Sequence, residues 1–299
     1  MDFTDSIIQY RRYLKRRNLS QCTIRNYLNS LKHFLTWLEV PVELVTHREI
    51  SCYIERLQRQ GKHPKTINCQ LNGIRSYYNF LRYEEGASLQ NPVRTGSALR
   101  LPKPLPRYLQ DNEVDKLFAA LKTRRDRAMF LLMLRCGLRV GEVAALCIDA
   151  IDQKRQRLLV KNGKGSKDRT VYLSRDSLCA LNDYLKIRPA SNSSGVFLVE
   201  KGKHRGSPIS VRGIQKRIEY YTKKAGVKAS CHHLRHTMAT QLLNVDADLA
   251  TIQDLLGHSR ITTTQRYCKV SNVKVARDYN KAMELIMEKS IFLGRSDRH

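Results

Sequence analysis

The residues of this chain best suited to chemistry gather between positions 231 and 267. Cys231-His232-His233-Leu234-Arg235-His236 is followed by Leu256-Gly257-His258, and Tyr267 stands nine residues after His258. Imidazoles such as His232 and His258 move protons near neutral pH, and Arg235 is a planar, permanent cation that forks onto phosphate oxygens. Tyr267 is a phenol, a nucleophile once its proton is taken. Together these side chains can grip a phosphate, shuttle a proton and attack. Upstream, Arg139 and Glu142 lie in Leu138-Arg139-Val140-Gly141-Glu142, and Lys164 lies in Asn162-Gly163-Lys164-Gly165. Each residue alone has a plainer reading. Arg139 with Glu142 suits a salt bridge at a helix start, Lys164 a solvated turn, His258 a helix cap and Tyr267 ordinary packing. His232 and His236 have the i, i+4 spacing of metal ligands, but H-E-x-x-H is absent and no Cys/His set is spaced for zinc, so no metal is expected. As a set, two arginines, a lysine and two histidines would supply the charge that metal ions supply in many phosphoryl-transfer sites.

The elements that must position these groups change character along the chain. Residues 1–90 read as helices only. Ser20 suits an N-cap, Thr46-His47-Arg48-Glu49 a capping box, Gly61 a stop, and Pro64 the start of a helix burying Ile67, Leu71, Ile74 and Leu81. Four amphipathic helices would make a small bundle. Its outer faces carry Arg11, Arg12, Lys15, Arg16, Arg17, Lys62 and Lys65, which suit either a DNA-gripping surface or a solvated one. Residues 91–107 hold Pro92, Pro102, Pro104 and Pro106, half of the eight prolines, and read as an extended linker. Residues 108–299 form a second domain. Here the pattern predicts a helix capped by Asp111, a buried helix through 128–134 ending at Gly137, and a hairpin from Leu158-Leu159-Val160 to Thr170-Val171-Tyr172-Leu173 with Lys164 near its tip. A helix over 178–185 and a short strand Val196-Phe197-Leu198 follow. Then come a helix capped by Ser210 that presents Arg212, Lys216 and Arg217, and an amphipathic tail helix over 274–293. The fold class is mostly α with a small β-hairpin or sheet.

Composition points to the partner. Lys and Arg number 54 against 27 Asp and Glu, a net +27, which fits a polyanion such as nucleic acid. No apolar run is long enough to span a bilayer and the start lacks a signal peptide's apolar core, so a cytoplasmic protein is expected. Eight cysteines without a C-x-x-C pair predict reduced, mostly buried thiols.

Five pieces occur in one order: Cys136-Gly137-Leu138-Arg139-Val140-Gly141-Glu142, Gly163-Lys164-Gly165-Ser166-Lys167-Asp168-Arg169, His232-His233-Leu234-Arg235-His236, Leu256-Gly257-His258, and Tyr267. In this arrangement the chain resembles the tyrosine recombinases, or phage-integrase family, and its helical front resembles their core-binding domain. The resemblance implies a two-domain, Xer-like site-specific recombinase that acts on double-stranded DNA without a cofactor. Tyr267 would form a 3′-phosphotyrosyl bond. His232 would take its proton, Arg139 and Arg235 would hold the non-bridging oxygens, and His258 would hydrogen-bond the phosphate. Lys164 would protonate the leaving 5′-oxygen, and Glu142 would orient Arg139 and the neighbourhood of His232. It further implies a homotetramer on two duplexes, with the tail docking on a neighbour or packing in its own chain, and allows for a second recombinase or accessory protein. Two rivals stand beside it: a type IB topoisomerase, which uses the same kind of chemistry, and a non-catalytic DNA-binding protein descended from such an enzyme.

Overall fold

The computed structural model describes residues 3–102, 106–161, 168–258, 261–268, 277 and 279–284. It comprises two compact units, Met1–Lys103 and Pro104–His299.

In the first unit, α1 (Phe3–Arg16), α2 (Gln21–Trp37), α3 (His47–Arg59) and α4 (Pro64–Tyr83) form the bundle. Its ends are closed by local chemistry. The Ser20 hydroxyl accepts the Thr23 N–H at 3.2 Å, and the Thr46 N–H donates to Glu49 at 2.7 Å. The core includes the predicted Ile67, Leu71, Ile74 and Leu81, but its largest side chains are aromatic: Tyr10, Phe34, Tyr53, Tyr77, Tyr78 and Phe80 are each no more than 2% exposed. A tyrosine can be buried here because its hydroxyl finds a partner. Tyr78 donates to the Val42 carbonyl at 2.9 Å and Tyr53 to Gln70 at 2.6 Å. Burying each such ring contributes about 1.5–3 kcal/mol. After α4 the chain stays fastened to it: Asn91 donates to the Arg75 carbonyl and Asn79, and Asn68 exchanges two 2.9 Å bonds with the Leu99 backbone.

The second unit is built on α6 (Arg124–Arg135), which follows α5 (Asp111–Ala119). Every residue from Ala128 to Leu134 is buried, and α6 packs against α8 (Arg175–Leu185) and α10 (Cys231–Asn244). Between them run α7 (Val140–Ala144), a three-stranded antiparallel sheet of β1 (Ile151–Asp152), β2 (Arg157–Val160) and β3 (Arg169–Tyr172), and α9 (Val211–Ala225). The register sets Leu158 opposite Val171, both fully buried, and Val160 opposite Arg169. The chain closes with α11 (Leu249–Leu256) and α12 (Ile261–Cys268).

Several expectations are corrected. Asp111 does not cap α5. Gln110 occupies the cap and its N–H is taken by Glu113 at 3.0 Å, so the box starts one residue earlier. Val196-Phe197-Leu198 is not a strand; isolated bridges flank it, Cys147 to Gly195 just before it and Leu198 to Pro208 at its end, and a proline has no N–H with which to extend a ladder. The sheet gains an unanticipated edge, β1, too short to show a periodicity. Arg217 does not face solvent as Arg212 does. It bonds Asp126 at 2.8 Å, and this fully buried carboxylate also receives Arg125 and Tyr221. The seven described cysteines are free thiols, but Cys22, Cys52, Cys69 and Cys179 are exposed rather than buried, because they sit just off the buried stripe of their helices, as Cys52 does beside Tyr53. No helix among the described residues is long and apolar enough to cross a membrane. Most of the predicted tail helix, and Lys164 with its turn, lie outside the described residues.

Candidate active site

Three helix ends supply the site. The last turn of an α-helix leaves carbonyls without intrahelical partners, at the negative end of the helix dipole. At the end of α11 three consecutive carbonyls of this kind each receive an arginine. Arg169 Nε donates to Leu255 at 3.0 Å, Arg235 Nη2 to Leu256, and Arg139 Nη2 to Gly257 at 2.9 Å. Arg235 Nη1 also donates to the Gly137 carbonyl, at the end of α6. One turn therefore gathers arginines from α7, β3 and α10.

Two glycines make this convergence possible. Gly137 has φ +63°, and a Cβ there would meet Leu256 Cδ2 and Met238 Sδ at 2.9 Å. Gly257 has φ +59°, and a Cβ there would meet the Arg169 side chain at 2.9 Å. Both positions need the left-handed conformation and the absent side chain.

Arg139 is the residue before α7. Its N–H and Nη1 both donate to Glu142, each at 2.7 Å, so the cap of the helix and the direction of the guanidinium are set together. The carboxylate also receives Arg169 in a fork, Nη1 to Oε1 and Nη2 to Oε2, each at 2.8 Å. Burial by itself would raise the Glu142 carboxyl, yet the bonds from Arg169 and Arg139 outweigh it and bring it down to about 2. Glu142, expected to orient Arg139 and the neighbourhood of His232, has Arg139 and Arg169 as its hydrogen-bond partners.

His232 sits in the first turn of α10, whose cap is the Ser230 hydroxyl. It is exposed, its ring 6.4 Å from that of His236. Partial desolvation by its neighbours, then the charges of Arg235 and Arg139, hold it below the ordinary 6.5, so it is a neutral proton acceptor at pH 7. One helical turn on, Arg235 is only 4% exposed. His258, half-buried just after Gly257, is lowered to about 4, first by desolvation and then by Arg235 and Arg139. Its Nδ1 lies 3.0 Å from the hydroxyl of Thr264, which is fully buried on α12. Three residues after Thr264 along the same helix comes Tyr267; its side chain lies outside the described residues.

Five of the seven predicted site residues, Arg139, Glu142, His232, Arg235 and His258, are thus brought to one place. His232 and His258 both feel the charges of Arg139 and Arg235. Two contributors escaped sequence reasoning. Arg169 belongs to the motif around Lys164 but looks like an ordinary strand cation. Thr264 lies in Thr262-Thr263-Thr264, where the spacing to His258 carries no signal of contact. Among the described residues no three His, Cys, Asp or Glu side chains form a metal-binding group.

The phage integrase family model matches residues 107–273, and the N-terminal SAM-like domain of phage integrases matches residues 7–85. The chain is 31% identical over 280 residues to tyrosine recombinase XerA of Pyrococcus horikoshii, covering 93% of this chain and 94% of that one. It is 33% identical over 280 residues to tyrosine recombinase XerC of Thermodesulfovibrio yellowstonii, covering 90% and 92%. Among solved structures, a lambda integrase tetramer bound to a Holliday junction superposes with a TM-score of 0.70 at 20% identity, over 88% of this chain and 76% of that one.

Proposed function

Because this chain belongs to the phage integrase family and is a site-specific tyrosine recombinase, we propose that Tyr267 is its nucleophile and that the side chains gathered at the end of α11 hold the phosphate it attacks. The single observation that carries this reading is the convergence of Arg139, Arg235 and His258 on the turn that leads into the helix bearing Tyr267.

In the proposed step the Tyr267 oxygen bonds to phosphorus while the bond to the 5′-oxygen breaks, leaving a 3′-phosphotyrosyl ester and a free 5′-hydroxyl. The phenol proton passes to His232, which is neutral at pH 7. Lys164 returns a proton to the departing 5′-oxygen. Arg139 and Arg235 neutralise the charge that develops on the non-bridging oxygens. They are aimed before DNA arrives, so little reorganisation is needed during the reaction. His258, its Nδ1 engaged by Thr264, hydrogen-bonds the phosphate. Glu142 holds Arg139. The ester conserves the energy of the phosphodiester, so the reverse attack reseals the strand without an external energy source.

The partner is double-stranded DNA. The helical unit contributes its exposed cations as a second contact, residues 91–107 act as the connection, and protomers assemble as a tetramer on paired core sites, with or without a second recombinase or accessory protein. The protein is assigned to the cytoplasm, where its DNA resides. The test uses nicked duplexes carrying inverted repeats from the DNA that flanks the coding sequence. A denaturation-resistant protein–DNA adduct is expected, and Tyr267→Phe should abolish it. An undiminished adduct in that variant would overturn the assignment. Exchange between two sites, against relaxation of a single supercoiled circle, separates recombination from the chemistry of a type IB topoisomerase.

A further inference from the structure

Arg169 is tightly held within the second unit, and the mechanism above gives it no task. Its Nε and both Nη atoms are committed, to the Leu255 carbonyl at 3.0 Å and to the two Glu142 oxygens at 2.8 Å each. Its side chain is 9% exposed, against 21% for Arg139. With Nε and both Nη atoms engaged, this guanidinium is occupied in holding other groups of the site. It does, however, answer a problem in the geometry. Arg139 is held by a buried carboxylate, and a lone carboxylate at 2.7 Å would cancel much of the charge that Arg139 brings to the phosphate. With Arg169 forked onto the opposite side, two guanidinium charges meet one carboxylate and the group keeps a net positive charge.

The location of Arg169 adds a second element. It opens β3, so it is the first described strand residue after the loop that contains Lys164, and the register sets it opposite Val160. Its Nε bond reaches α11, and Gly257 lacks the Cβ that would press on it at 2.9 Å. One side chain thus ties the hairpin, the start of α7 and the turn before His258.

Building on the proposed cleavage chemistry, we infer that Arg169 is a positioning residue for strand cleavage. It offsets the charge of Glu142 so that Arg139 is aimed without being neutralised.

The test measures single-turnover adduct formation at saturating protein, together with DNA affinity, in the full chain. Arg169→Met is expected to slow cleavage about 100-fold, the scale of a misplaced or weakened transition-state contact, while DNA affinity stays within about 3-fold. The decisive comparison adds Glu142→Gln. If Arg169 acts by charge offset, the double variant E142Q/R169M recovers about 10-fold over R169M, since the charge needing an offset is gone. Cleavage by R169M within about 3-fold of the parent would overturn the proposal, as would a double variant no faster than R169M. Should R169M fail to fold, the pair E142Q and E142Q/R169M decides: rates within about 3-fold of each other support the charge offset, and a larger gap refutes it. Tyr267→Phe accompanies every background. An adduct that survives it would mean that the nucleophile is misassigned, an outcome distinct from failure of the Arg169 inference.

Discussion

The cations that bear on function are held in opposite ways in the two units. In the bundle, Arg11, Arg12, Lys15, Arg16, Arg17, Lys62 and Lys65 are all exposed, and of these Arg16 pairs directly with Glu84 at the surface. In the second unit Arg139, Arg169 and Arg235 are drawn inward and tied to carbonyls and a carboxylate. An exposed lysine meets DNA as a mobile point charge, releases a counterion and contributes affinity that salt removes. An arginine fixed by two or three bonds has already lost its freedom during folding, so it can act on a charge that exists only in the transition state. The contrast predicts that inner cations govern rate and stability, and outer ones affinity and its salt response.

The largest disturbance should come from the innermost ion group. Asp126→Ala removes the carboxylate that Arg125 and Arg217 share, and the loss of one partner from a buried ion group costs about 3–5 kcal/mol. Urea unfolding should show the drop, and an unchanged midpoint would break the distinction between inner and outer charge. Next comes Arg235→Lys. It keeps the charge but cannot bridge Gly137 and Leu256, so cleavage should slow about 10²–10³-fold with little change in DNA affinity.

Acid stability comes third. The unfolded chain protonates His258 near its ordinary 6.5, while the folded chain resists until about 4, so stability should fall as pH drops across that interval. Glu142 adds a lower window, because its folded value of about 2 lies below the ordinary 4.5; the stability it contributes above 4.5 is lost on descending towards 2. Melting temperature against pH tests both, with His258→Asn flattening the upper window and Glu142→Gln the lower. The smallest effect belongs to the bundle. Lys62→Gln with Lys65→Gln should make the slope of log affinity against log salt shallower by about 0.9 per phosphate contact removed, at an unchanged cleavage rate. A slower rate in that variant would erase the division of labour.

What was legible in the sequence was local. Helical spacing found Ile67, Leu71, Ile74 and Leu81, and the box at Thr46 and Glu49 closed as expected, because those signals lie within a few residues of one another. The site residues were legible as types, since few uses join two arginines, two histidines and a tyrosine in that order. The partnerships were not. That Glu142 takes Arg169 across 27 positions, or that Leu256 and Gly257 receive arginines from elsewhere, leaves no period to detect, because backbone carbonyls have no letter in a sequence. The aromatic core of the bundle was underread for a related reason: each buried tyrosine depends on an acceptor such as Val42 or Gln70 that only the fold brings near.

The run of carbonyls at 255, 256 and 257 carries a consequence for how this protein can vary. Because the arginines bind main-chain oxygens, the turn constrains its own length more tightly than its letters. A conservative exchange at Leu255 leaves its oxygen where it was. A single residue inserted within α11 turns everything beyond it by about 100° about the helix axis and advances it about 1.5 Å. All three arginines would lose their acceptors at once. Deep mutational scanning should therefore find this segment permissive to many substitutions and closed to insertions and deletions.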